Sequence, residues 1–217
     1  PMPATSTAFE VRQAVMELSC DWFDSRKPRR KPLGEYFIDT ARQNWGRSAV
    51  ADTSGKSLTY GRSLAGALAL AGKLEKLLAK SPFEKGRLRG ISAVESQGQI
   101  PPGPPLQRRE QNHVGILLPP SVGGVLTNLA VSLLGRIPVN LNYTASEASL
   151  RSAVTQCGIT TIVTSRAFLE KVPTLPRLEG MIFLEDILPT ITGTDKFIAL
   201  LKGRLLPNRL LCWRHGF

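Results

Sequence analysis

The sequence predicts an α/β fold, a partial parallel sheet flanked by helices, and three observations carry that expectation. Short apolar runs at Val114–Leu118, Ile137–Asn140 and Ile159–Thr164 alternate with helical patterns at Ser121–Leu134 and Ser146–Gln156. Alternation at this spacing is the sequence form of a parallel sheet built from crossovers. A polar turn, Asp52-Thr53-Ser54-Gly55-Lys56, separates two short strand-like runs ahead of the sheet and predicts a hairpin, because Asp and Gly relieve the backbone where it reverses. With 42% hydrophobic residues in 217, the chain has enough apolar mass to bury a core.

The elements follow in order. Between Phe9 and Phe23, Val11, Val15, Leu18 and Trp22 recur at three- and four-residue spacing and predict a short amphipathic helix. The basic run Arg26 to Pro32 holds two prolines and reads as a solvated linker; no aromatic residue interleaves its charges to stack on bases. A helix is expected from Leu33 through Asn44, strands at Ala49–Ala51 and Ser57–Tyr60, then a long helix to about Lys80 with Leu64, Leu68, Ala71, Leu74 and Leu78 on one stripe. Periodicity is lost between Ser81 and Asn112, and Ile100-Pro101-Pro102-Gly103-Pro104-Pro105 cannot join a sheet interior, so residues 84–112 read as an inserted flexible loop.

After the crossovers, Met181–Leu184 predicts one further strand. From Phe197 onward there is no acidic residue, while Lys202, Arg204, Arg209 and Arg214 stand among leucines. That tail reads as a connector interrupted by Pro207, with a membrane-surface helix as the competing reading.

The net charge of +11 suits an anionic membrane surface, an acidic protein or nucleic acid, and does not choose among them. Cys20, Cys157 and Cys212 are far apart, without a CxxC pair and odd in number, which indicates neither a disulfide framework nor a zinc site and fits a reduced, cytoplasmic setting. The uncharged stretch Gln111–Gly135 is broken by Pro119, Pro120, Gly123 and Gly124, which excludes a membrane span there. The opening residues lack the order of a secretory signal, and a first residue Pro rather than Met predicts a piece of a longer polypeptide.

Chemistry-bearing constellations are scarce. Thr53-Ser54-Gly55-Lys56-Ser57 has the ending of a phosphate-binding Walker loop, but Val50 stands where that motif needs its first Gly, so the hairpin reading holds. A His four residues ahead of an Asp, a base pair for hydroxyl attack, occurs at neither His113 nor His215. Cys157 lies before Gly158 at a helix end without a basic neighbour to activate it. Asn142 and Tyr143 fall where a strand ends, the carboxyl edge at which parallel sheets place ligands, and are the site candidates; turn geometry for Asn and core capping for Tyr are the competing roles.

The runs His113-Val114-Gly115-Ile116-Leu117-Leu118-Pro119 and Leu134 to Tyr143, with Ser48 to Asp52 and Leu58-Thr59-Tyr60 upstream, resemble the opening hairpin and first crossover of the adenylate-forming (AMP-binding) acyl-activating ligase superfamily. The phrases Ile137 to Ala145 and Thr161 to Leu169 are similar to the branch of fatty acyl-acyl carrier protein synthetases, found alone or fused behind a lysophospholipid acyltransferase of the 2-acylglycerophosphoethanolamine type. The resemblance covers roughly residues 33–80 and 112–190.

The resemblance implies that 33–217 is the N-terminal portion of an AMP-binding ligase domain and that 1–32 is a linker or the tail of a preceding domain. The parent reaction would activate a fatty acid with ATP and Mg and pass the acyl group to acyl carrier protein or CoA. The family's Ser/Thr/Gly-rich loop ending in Lys, its acidic motif and its C-terminal catalytic Lys do not occur in this sequence. The implied piece is therefore inactive alone, with no catalytic, cofactor-binding or metal-binding residue of its own, and with Asn142 and Tyr143 as substrate-binding candidates. Its implied setting is the cytoplasm, with membrane association through a fused domain. A non-enzymatic basic α/β module, docking on anionic membrane or nucleic acid through Arg26–Lys31 and the C-terminal tail, stands as the alternative.

Overall fold

The protein is described by a computed structural model in which residues 7–25, 31–78, 113–207 and 211 are defined. The expected loop at 84–112 and most of the basic run at 26–32 lie outside the described residues. Contacts divide the chain into two units, Pro1–Pro32 and Leu33–Phe217.

Among the described residues, the first unit holds one helix, α1 (Ala8–Ser25). Its start is set by a reciprocal cap: Thr7 Oγ1 accepts the Glu10 N–H at 3.3 Å while Glu10 Oε2 accepts the Thr7 N–H at 2.7 Å. Those bonds hold the Glu10 carboxyl below the usual carboxylate range. Val15, Leu18 and Trp22, the stripe read from sequence, are exposed.

The second unit begins with α2 (Leu33–Gln43), strands β1 (Ser48–Ala51) and β2 (Ser57–Thr59), and the long helix α3 (Tyr60–Leu78). β1 and β2 pair antiparallel as a hairpin. Gly55 takes the turn at φ +79°, a backbone open to Gly at little cost. The Asp52 carboxylate organises the reversal by accepting from Ser54 N, Ser54 Oγ and Lys56 N.

The main sheet comprises β3 (His113–Leu117), β4 (Ile137–Asn140), β5 (Ile162–Thr164) and β6 (Met181–Phe183), all parallel, in the order β4-β3-β5-β6. Helices α4 (Val122–Leu133), α5 (Glu147–Gln156) and α6 (Arg166–Lys171) connect successive strands. The sequence expectation of a strand over Ile159–Thr164 is shortened to its last three residues. Ile159 instead closes the end of α5, its N–H bonded to Val154 O at 2.9 Å, and its side chain packs under the sheet.

Side-chain alternation along β3 separates two cores. Val114 and Ile116 pack with α3, with α4 and with the short helix α7 (Leu184–Ile187); Leu117 packs with Leu141, Leu150 and Phe168 on the opposite face. Continuous burial from Val114 to Leu117 matches a strand covered on both faces. Gly115 makes this possible: an added Cβ would meet Ile162 Cγ1 at 3.0 Å and Ile159 Cγ2 at 3.1 Å. Pro138, which lacks an N–H, is tolerated because β4 is an edge strand.

The last element departs most from expectation. After a 3₁₀ turn (Leu188–Thr190), the region read as a connector forms helix α8 (Gly193–Leu205) and packs on α3. A capping box starts it, with Thr192 Oγ1 accepting the Asp195 N–H and Asp195 Oδ2 accepting the Thr192 N–H. Asp195 also pairs with Lys73 at 2.8 Å, and those bonds, Lys73 foremost, hold its carboxyl well below the ordinary range. Buried Ala199 and Gly203 let the two helices approach; Gly203 lies against Leu64. Arg42 closes the far end, donating from Nε to Gly203 O at 2.8 Å and from Nη2 to Leu206 O.

Candidate functional site

In this strand order the chain leaves β3 toward β4 on one side and returns to β5 on the other, so the topology switches between β3 and β5. Thr164 Oγ1, buried, donates to Leu117 O at 2.8 Å across that switch. Beside it, at the carboxyl ends of β3 and β4, lies a cleft of about 300 Å³, lined by Ile116, Leu118 to Ser121, Gly124, Val125, Asn128 and Asn140 to Tyr143.

Both site candidates line this cleft, each also with a local role. Asn142 Oδ1 accepts Thr144 N at 3.0 Å and Thr144 Oγ1 at 2.8 Å, an Asx turn that redirects the chain from β4 toward α5. That occupies the amide oxygen, whereas the Asn142 amide nitrogen donates to no described residue. The Tyr143 ring stands edge-on to Phe168, centroids 5.3 Å apart and planes at 89°, among the residues of the second core.

Two further polar residues were not singled out from sequence. Asn128 on α4 and Asn140 at the end of β4 exchange amide bonds of 3.0 and 2.9 Å, and Asn128 Nδ2 also reaches Gly124 O. Asn140 ends a strand and Asn128 sits mid-helix; nothing in their local sequence pairs them, since the contact arises only when α4 folds back beside β4.

The N-terminus of α4 is where a phosphate would be expected, with Pro119-Pro120-Ser121-Val122-Gly123-Gly124 feeding a helix start after a strand. It is already occupied. Asp52 Oδ2 accepts the Val122 N–H at 3.1 Å and Ser121 Oγ accepts the Gly124 N–H at 3.1 Å. The cleft wall contributes amides, the hydroxyls of Ser121 and Tyr143 and apolar surface but no Lys or Arg. Among the described residues no group of three or more His, Cys, Asp or Glu side chains is placed to hold a metal ion. The residues present therefore do not fit Mg-ATP.

At the ends of β5 and β6, Ser165 Oγ donates to Glu185 Oε1 at 2.6 Å, and Arg166 forms a bidentate pair with Asp186 at 2.7 and 2.6 Å while stacking 4.3 Å over Phe183. Arg166 holds the Asp186 carboxyl below its ordinary range. For Glu185, burial pushes upward, and the bonds from the Ser165 hydroxyl and nearby N–H groups together outweigh it. Every group in this cluster is engaged in joining the two strand ends, and among the described residues Ser165 has no imidazole beside it. His113 opens β3, half-buried, and Cys157 caps α5, half-buried; neither has an acid–base partner among the described residues.

No family model matches the chain. Its fold is similar to that of the Klebsiella oxytoca NpsA N-terminal subdomain solved with 3-hydroxybenzoyl-AMSN, at TM-score 0.53 and 14% identity, over 75% of this chain and 32% of that one. It is also similar to NpsA-ThdA, an artificially fused adenylation-PCP di-domain from Klebsiella oxytoca, at TM-score 0.52 and 15% identity over 75% and 24% of the two chains. A benzoate CoA ligase from Burkholderia xenovorans LB400 matches at TM-score 0.52 and 15% identity over 75% and 29%. The chain thus spans about a third or less of the proteins it matches, and its α/β fold is similar to that of part of the NpsA N-terminal subdomain.

Proposed function

We propose that this chain is the amino-terminal part of an acyl-adenylating ligase, and that the complete enzyme activates a fatty acid and transfers it to acyl carrier protein or CoA. The observation that carries the reading is the unit Leu33–Leu205: a hairpin fixed to the first crossover helix of a β4-β3-β5-β6 sheet, sharing its fold with adenylating subdomains over three quarters of the chain. The choice of fatty acid over an aryl acid rests on the residue phrases Ile137 to Ala145 and Thr161 to Leu169. ATP and Mg belong to the complete enzyme, bound by residues this chain does not contribute. The cytoplasm suits such a reaction.

In this reading the described cleft, with the Asn142 amide among its lining groups, contributes to a wall of the substrate site rather than to phosphate binding. Acid-dependent ATP–pyrophosphate exchange by the polypeptide that carries this chain together with a Ser/Thr/Gly-rich loop tests it. Exchange stimulated by long-chain fatty acids and not by benzoate is expected. Exchange with aryl acids only would move the chain to another branch, and no exchange with any carboxylic acid would remove the ligase reading.

A further inference from the structure

Helix α8 turns only a narrow edge, Ala199 and Gly203, into the fold. Its outer side carries Phe197, Ile198, Leu200, Leu201 and Leu205, which recur at three- and four-residue spacing and are 41–68% exposed. Single exposed apolar residues are ordinary on protein surfaces, but five on one helix form a continuous strip about 12 Å long at 1.5 Å per residue. The charges around the strip are cationic: Lys196 and Lys202 lie on the helix and Arg204 is stacked 5.4 Å over Trp45. Asp195, the helix's one acid, is held by Lys73 and the cap.

Directly alongside, a cleft of about 260 Å³ separates α3 from α8. Lys73, Lys76 and Lys202 line it against Glu75 and Asp195, and Ile198 forms part of its rim. With Lys73 spent on Asp195, Lys76 and Lys202 stand against Glu75 alone and leave the cleft one net positive charge.

We propose that the outer face of α8 docks on an anionic bilayer surface, its apolar strip entering the headgroup boundary while Lys76 and Lys202 receive lipid phosphates in the adjoining cleft. This is the combination of apolar face and flanking cations by which helices lie in a membrane interface without crossing it. No described helix is long and apolar enough to cross a membrane. Charge separates α8 from α1, which also exposes apolar residues. Within Ala8–Ser25, Glu10, Glu17, Asp21 and Asp24 stand against Arg12 alone, so an anionic surface repels α1 and attracts α8.

The test is co-sedimentation of the full chain with vesicles of equal parts phosphatidylcholine and phosphatidylglycerol, compared with phosphatidylcholine alone. Binding to the mixed vesicles, weak binding to the neutral ones and release by salt are expected. Phe197→Ser with Leu201→Ser leaves the charge unchanged and should lower partition about tenfold or more, with an unchanged thermal melt because both residues are exposed. Lys76→Gln with Lys202→Gln should lower partition into the mixed vesicles only. Failure of the native chain to bind, or equal binding by the Ser double variant, overturns the proposal; the latter would assign binding to another basic segment such as Arg26–Lys31. Self-association in solution that the Ser double variant abolishes would also overturn it and give the strip to a second copy of the chain.

Discussion

Asp52 Oδ2 accepts the backbone N–H of Val122 at 3.1 Å, joining the turn of the β1–β2 hairpin to the first residue of α4, seventy positions later. One carboxylate thereby organises its own turn, satisfies an orphan donor at a helix start and lies at the positive end of the helix dipole. The same contact takes the anion position that the Gly-rich start of α4 would otherwise present.

The Asp52 carboxyl is held below the ordinary carboxylate range, by the Ser54 hydroxyl foremost and then by the Val122 N–H. A depressed folded-state value contributes stability that is present above the unfolded value, near pH 4, and is lost as pH falls through the folded value. Asp52→Ala should therefore be less stable than the native chain at neutral pH, with the gap closing below about pH 4. Urea melts of both proteins across that range check it; other carboxylates titrate in both and cancel. A gap independent of pH would mean the residue acts only through its turn.

At α8 the cap should be measurable alone. Thr192→Ala removes the hydroxyl that accepts the Asp195 N–H and should cost about 1 kcal/mol. Thr192→Ala combined with Asp195→Ala should be less than additive, because the two side chains form one reciprocal cap; a double-mutant cycle from denaturant melts decides.

Two glycines predict overpacking. Gly115→Val forces a side chain against Ile162 and Ile159 and should cost roughly 1–3 kcal/mol. Gly180 has φ +75°, and a Cβ there would stand 2.2 Å from Thr160 O. Gly180→Ala should cost roughly 2–4 kcal/mol, since neither the backbone angle nor a backbone carbonyl in the segment leading into β5 yields easily.

Leu74 and Leu201 separate core from surface. Leu74 is fully buried between α3 and the sheet, so Leu74→Ala should cost about 2–5 kcal/mol, whereas Leu201→Ala on the outer side of α8 should change stability by less than about 0.5 kcal/mol. Equal losses would mean that the α8 strip is covered in solution.

Asn142→Asp distinguishes the turn role from a site role. Aspartate keeps the oxygen that Thr144 donates to but loses the Nδ2 donor. The melt should be unchanged, and in the complete enzyme kcat/KM for the acid should fall about tenfold, the scale of one hydrogen bond. Unchanged kinetics would confine Asn142 to its turn.

Local sequence determined most of the elements of this protein. Alternation placed β3, β4 and β6, three- and four-residue spacing placed α3, α4 and α5, and Asp52 to Lys56 placed the hairpin, because these signals act over a few residues. The same reading left α8 as a connector: its cap is Thr192 with Asp195, but its packing depends on Ala199 and Gly203 meeting α3 more than a hundred residues earlier. Asn142 and Tyr143 were legible at the cleft because a strand end is visible in sequence. The Asn128–Asn140 pair and the Asp52 cap were not, since both join groups that only the folded crossover brings within hydrogen-bond distance. Periodicity thus decided which faces are apolar, while tertiary packing decided which polar groups are spent inside the fold and which apolar face of α8 is left outside it.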